Sequence, residues 1–262
     1  MKKIRRYIIL IVLLVIYFIA MYFLFAKDEI KQSENTMTIL VGNNTIWNYS
    51  NKKWMNITSS ASIKNLNWKE FTVYLDNKEY GNYLLWHDDK WYLFDKNKKA
   101  VNAEGTLIAY KANYKIKVSD FQTEPITDYT YVHQVLKDKN LSTSSLFTTA
   151  EKVSFDIDND EIIEDFYIIS NIFATEFTPD TNFSIVFMVK NDTIYYIYDD
   201  ISTNDNSYKG CKPYINSFID VDRDKENTYE LILSCGRYSI QNPVDMLYKW
   251  KDDKFKILIS NQ

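Results

Sequence analysis

The densest chemistry in this sequence is acidic, and it occurs twice. Asp156-Ile157-Asp158-Asn159-Asp160 is followed by Glu164-Asp165 and the apolar run Phe166-Tyr167-Ile168-Ile169-Ser170. The second copy, Asp220-Val221-Asp222-Arg223-Asp224, closes at Glu230 before Leu231-Ile232-Leu233-Ser234. The copies align without a gap over fifteen residues, 64 positions apart. Carboxylates at the first, third and fifth positions of a tight loop converge on one point. A hard cation such as Ca2+ takes about six to eight oxygens at about 2.3–2.6 Å, and backbone carbonyls would add to the three carboxylates. A later acid, Asp165 or Glu230, can complete the shell. The alternative is a pair of solvated acidic turns. Neither loop is an EF-hand, which requires Gly at the sixth position and Glu at the twelfth. Those places hold Glu161 and Tyr167 in one copy, Lys225 and Leu231 in the other.

The loops resemble those of FG-GAP or VCBS-type β-propeller repeats, in which a strand feeds an Asp-x-Asp-x-Asp-Gly loop that ends in an acid and an apolar strand. The resemblance implies a calcium set of Asp156, Asp158, Asp160 and Asp165, and a second of Asp220, Asp222, Asp224 and Glu230. It points to binding or scaffolding rather than catalysis. The sequence departs from the pattern in lacking the loop glycine in both copies, and each loop is longer than the usual repeat. Arg223 and Lys225 lower the negative charge of the second.

Other chemistry is sparse. His87 and His133 are the only histidines. No Cys/His zinc spacing and no phosphate-cradling glycine motif is present. Paired carboxylates on a glycan-active enzyme are the alternative functional reading, but an Asp-rich chain offers such pairs by chance. The six tryptophans include Trp47, Trp54, Trp68, Trp86 and Trp91. They raise a glycan-stacking reading, against which stands cross-strand packing of Trp54, Trp86, Trp91 and Trp250.

The elements that would position these groups read as strands. Short β-branched and aromatic runs separated by turn residues recur from residue 37 onward. They divide into an N-terminal β portion, residues 37–120, and a C-terminal β portion, residues 121–262, that carries both acidic loops. One segment differs. Residues 128–139 place Tyr131, Val132, Val135 and Leu136 at helical spacing, with Asp128 as the cap. A weak repeat joins Tyr49 to Trp54, Trp86 to Trp91 and Trp250 to Phe255. Each is an aromatic, a polar turn and a second aromatic five positions on, which a short hairpin would bring together. The fold class expected is all-β, propeller-like or a repeated β-meander, after an N-terminal transmembrane helix.

That helix is predicted from residues 7–25, which carry no charge, Gly or Pro. Nineteen residues at about 1.5 Å each span roughly 28 Å, close to the hydrocarbon thickness of a bilayer. Lys2, Lys3, Arg5 and Arg6 precede it, and a mixed-sign linker, residues 26–36, follows. The bias puts residues 1–6 in the cytoplasm and the rest outside the plasma membrane, as a single-pass signal anchor. A cleaved signal peptide is the alternative, although its apolar region is usually shorter than this run. The composition resembles the coding bias of an AT-rich bacterial genome. The net charge of −4 argues against nucleic acid as a partner. An oxidising compartment permits a disulfide between Cys211 and Cys235, the only cysteines. A hairpin pairing Ile219 with about Tyr229 would set 211 opposite about 237, which makes the two near neighbours. Two separate buried thiols are the alternative. The function expected is a membrane-tethered extracytoplasmic binding or scaffold module, non-enzymatic, with structural calcium and a protein or glycan partner. A sensor or assembly subunit is a further alternative.

Overall fold

The computed structural model describes residues 17, 36–42, 45–88, 90–102, 105–112, 114–172, 181–203, 210–221, 228–237 and 243–261. Apart from Tyr17, the expected membrane segment, residues 7–25, lies outside them, as do Asp222 and Asp224. Among the described residues no helix is long and apolar enough to cross a membrane.

The described chain is all-β in character, with three antiparallel sheets and two short helices. The first sheet contains β1 (Met37–Val41), β2 (Thr45–Ser50), β3 (Lys53–Asn56), β4 (Lys69–Leu75), β5 (Lys78–His87), β6 (Trp91–Phe94), β7 (Ala100–Val101) and β8 (Leu107–Ala112), in the order β3-β2-β1-β8-β4-β5-β6-β7. Helix α1 (Ser60–Lys64) precedes β4. The outer sheet is β10 (Thr123–Pro125), β11 (Thr149–Phe155), β12 (Glu164–Ser170), β13 (Thr181–Lys190) and β14 (Thr193–Thr203), paired in chain order. The middle sheet runs β18 (Phe255–Ser260), β17 (Val244–Trp250), β16 (Glu230–Arg237), β15 (Cys211–Asp220), β9 (Lys117–Ser119). β9 pairs with β15, so the middle sheet recruits a strand from before residue 120.

Alternation along the strands sets the layer order. On β13, Phe183, Ile185, Phe187 and Val189 meet Val132, Val135 and Leu136 of helix α2 (Thr130–Asp138). Its opposite face presents Val186 and Met188 to Phe218, Leu231, Leu233 and Met246 of the middle sheet. The far face of the middle sheet offers Ile219, Ile232 and Leu247 to Met37, Ile39, Trp47 and Ile108 of the first sheet. Ile57, Ile63 and Leu66 cover the first sheet's other face over Leu40, Phe71, Leu85 and Trp91. The sheets therefore stack in series, and none closes on itself. A strand buried on both faces tends to be apolar on both, which is why β13 reads as an unbroken apolar run from Ile185 to Val189.

The N-cap of α2 is Tyr129, which makes no side-chain cap hydrogen bond, rather than the expected Asp128. Asp128 stands one residue earlier and accepts from the Thr130 backbone N–H at 2.9 Å and its hydroxyl at 2.7 Å. The repeated aromatic hairpin forms at two of its three places. Tyr49 opposes Trp54 and Trp250 opposes Phe255, each with ring centroids 5.0 Å apart. Their turns are two residues long, with positive φ at Asn51 and Lys52 and at Asp252 and Asp253. That is the backbone twist a tight hairpin needs. The middle copy has three turn residues, so His87, not Trp86, opposes Trp91, and Trp86 opposes Tyr92. One extra residue reverses the face on which a side chain stands. Trp91 enters the core and Trp86 faces the other way.

Candidate functional site

The first acidic loop connects β11 to β12. Its carboxylates are held by the loop itself. Asp156 accepts from the backbone N–H groups of Asp160 at 3.2 Å and Glu161 at 3.0 Å. Asp160 accepts from the Ile162 N–H at 2.9 Å. Asn159 and Glu161 take positive φ, 53° and 70°, in place of the glycine that such a turn prefers. Glu164, not Asp165, completes the set. Glu164 is fully buried and accepts from the Ile157 N–H at 2.9 Å. Asp165 stands on the opposite face of β12, where it accepts from Ser154 and pairs with Lys152 at 3.2 Å. Strand parity decides this, because adjacent residues of β12 point to opposite faces.

Asp156, Asp158 and Glu164 each offer an oxygen, and all three oxygens lie within 4.8 Å of one another. A cation already serves them. Lys190, the last residue of β13, places Nζ 2.7 Å from Asp158, 2.7 Å from Asp160 and 2.8 Å from Glu164. Burial pulls the Lys190 pKa down, but the hydrogen bonds to these three carboxylates outweigh it and raise it above the ordinary lysine value. Burial raises the Glu164 carboxyl, and Lys190 offsets that only in part.

The second loop repeats the frame. The Val221 N–H donates to the buried Glu230 at 3.1 Å, as Ile157 does to Glu164. Lys249 stands opposite Glu230 on the next strand, with Nζ 3.6 Å from its carboxylate. The equivalent closing acids, Glu164 and Glu230, are 66 positions apart while Asp156 and Asp220 are 64 apart. The gap-free alignment thus fails at the loop's end, where the second copy is two residues longer. The loops also touch, since the Tyr229 N–H donates to the Ile157 carbonyl at 2.8 Å. Asp220 lies opposite Lys117, and Asp222 and Asp224 lie outside the described residues.

Cys211 and Cys235 meet across the β15–β16 ladder with Cα atoms 5.3 Å apart, within the range of a disulfide. Cys211 is registered against Arg237, as expected, although Ile219 pairs with Glu230. A bulge at Asn216 absorbs the difference of one residue.

A second feature was not legible in the sequence. The first sheet is eight strands wide and the middle sheet five. The inter-sheet core draws on β1, β2, β8 and Tyr74 of β4. Beyond it, the same face of β5 and β6 is uncovered. It presents Leu84, Trp86, Tyr92 and Phe94, none of which joins a core cluster. Trp68 turns onto this face from the bend after α1. Its rings lie 5.0 Å from both Trp86 and Phe94. Trp68 is 38% exposed and Tyr92 37%. Trp68 holds a φ of 59°, which is rare for a bulky side chain. Its N–H donates to the Leu85 carbonyl at 2.7 Å, and the neighbouring Asn67 carboxamide accepts from the His87 N–H at 2.9 Å. Lys98 lies over the Trp68 ring at 4.9 Å and Lys90 over Tyr92 at 5.4 Å. Unlike β13, β5 buries only Leu85 fully.

No family model, no curated protein and no solved structure matches this chain.

Proposed function

We propose that the chain is a non-enzymatic binding module, tethered to the plasma membrane by residues 7–25, with its β region on the extracytoplasmic side. The uncovered aromatic face of β5 and β6 carries this reading. Trp68 and Tyr92 are exposed and Trp86 and Phe94 half-buried. Aromatic rings grouped on a rigid sheet that no core covers mark interaction surfaces, because each ring gains contact area at little cost in conformational entropy. The strained backbone at Trp68 supports it, since a left-handed tryptophan is retained only where its surroundings over-determine it. The ionisable clusters support the non-enzymatic part. The first acidic loop is tied up by its own backbone and Lys190, and Asp245 is tied into a buried network with Ser234 and Thr45.

The kinship with FG-GAP or VCBS-type repeats belongs to the same proposal. Two successive four-stranded meanders, β11–β14 and β15–β18, each carry the acidic loop between their first two strands. Structural calcium at the first loop is favoured by the convergence of Asp156, Asp158 and Glu164. The ion would compete with Lys190 for one point.

The test is hydroxyl-radical footprinting of the full chain, purified in detergent and in intact cells. Trp68 and Tyr92 are expected to be oxidised in the purified protein and protected on cells. Equal oxidation in both settings, or a β region that external protease cannot reach on intact cells, would overturn the proposal.

A further inference from the structure

We infer that the uncovered face of β5 and β6 binds an anionic polysaccharide; this rests on the binding-module reading above. The shape of the site is the first argument. It is an open sheet face rather than a cavity, so it suits an extended chain lying across strands about 4.8 Å apart. Trp86 and Tyr92 oppose each other across the ladder, as do Leu84 and Phe94. Trp68 extends the patch beyond the strands. Flat rings stack on the C–H faces of pyranose rings, burying apolar area without demanding a fixed side chain from the ligand.

The polar groups on the same face supply the second argument. Thr72 and Asn82 oppose each other and share a 2.9 Å hydrogen bond at the exposed surface. Each retains hydrogen-bonding capacity for hydroxyl groups.

Charge supplies the third. Lys90 and Lys98 lie over two of the aromatic rings. The exposed Glu70, opposite Leu84, shares the face and offsets one of these charges. Their ammonium groups stand where anionic substituents of a stacked sugar chain would fall, and ion pairing adds to stacking there. Asp95, the acid nearest Lys98 in sequence, has its carboxylate engaged by the backbone N–H groups of Asn97 and Lys99, each at 2.8 Å. A neutral glycan would leave the two lysines without a partner on the ligand.

The test uses the full chain in detergent, with tryptophan fluorescence and calorimetry as readouts. The probes are hexagalacturonate, neutral cellohexaose and polyglutamate. Hexagalacturonate is expected to bind saturably and more tightly than either of the others. The double variant Trp68→Ala/Trp86→Ala is expected to weaken it at least about tenfold. Lys90→Gln/Lys98→Gln is expected to weaken it about fivefold or more while leaving cellohexaose binding unchanged. Equal binding of cellohexaose, with no effect of the lysine variant, would overturn the anionic part. Equal binding of polyglutamate would overturn glycan recognition. If no probe binds while the cellular footprint at Trp68 and Tyr92 persists, the ligand class is wrong and the binding-module reading survives. Loss of both overturns both.

Discussion

Lys190 and Glu164 form the ion pair around which the first acidic loop is built, with Nζ 2.8 Å from a carboxylate that is fully buried. Breaking a buried pair by removing one partner costs about 3–5 kcal/mol, whereas neutralising both partners costs far less. Lys190→Met is therefore expected to destabilise by about 3 kcal/mol, the low end of that range because Asp158 and Asp160 reach solvent. Glu164→Gln/Lys190→Met should recover more than half of the loss. Denaturant unfolding of the two single variants and the double measures the coupling, and strictly additive losses would contradict it.

The same pair bears on calcium. Lys190 Nζ and a divalent ion would compete for the oxygens of Asp158 and Glu164. Removing the ammonium raises the negative charge of the loop, so Lys190→Met is expected to show a larger calcium-dependent rise in Tm than the natural chain. Calorimetry with and without millimolar calcium reads this out. Identical calcium responses would exclude the loop as the shared point.

Asp245 gives a pH signature. It is almost fully buried between the first and middle sheets, and burial raises its carboxyl above the ordinary aspartate range. The hydrogen bonds from Ser234 and Thr45 offset this only in part. A raised folded-state pKa favours the protonated folded form. Its stabilising share is complete below about pH 3.9, the unfolded value, and is lost as pH rises through the folded pKa. Asp245→Asn removes that titration. The variant's stability relative to the natural chain is expected to improve as pH rises from acid to neutral. A constant difference across that interval would contradict the assignment.

Cys211 and Cys235 are 24 residues apart in sequence. A bridge closing a loop of that length stabilises by about 3.5 kcal/mol in the chain-entropy model. Cys211→Ser/Cys235→Ser, or reduction and alkylation, is expected to lower stability by about that amount. Quantitative labelling of both thiols in the unreduced, denatured chain would show that no bridge forms.

The strands were legible because alternation and turn residues are local signals. The cores of β1, β6 and β13 could be read in this way, whereas the start of α2 was placed one residue early, at Asp128 rather than Tyr129. Lys190 could not, because only the meander brings residue 190 beside the loop at residue 158. The sole hint was that strands ending in Lys190 and Lys-Trp at 249–250 follow each acidic loop. The choice of Glu164 over Asp165 required the parity of β12. Trp86 was misread as a packing partner of Trp91 because the repeat Trp86-to-Trp91 looks identical in sequence to Tyr49-to-Trp54. One additional turn residue separates them in space. The width of the first sheet, which leaves Trp86 uncovered, is a property of strand order and has no local signature.

The central claim is that one hairpin divides its tryptophans between folding and binding. The most direct measurement is the unfolding free energy of Trp91→Ala and Trp86→Ala in the full chain. Trp91 is buried under Ile57, Ile63 and Leu66 in the core, and its truncation is expected to cost about 3–5 kcal/mol. Trp86 is half-buried and packs on Trp68, and its truncation is expected to cost about 1–2 kcal/mol, well below that of Trp91. If Trp86→Ala destabilises as much as Trp91→Ala, the face is part of the folding core and the account of it as a binding surface is contradicted.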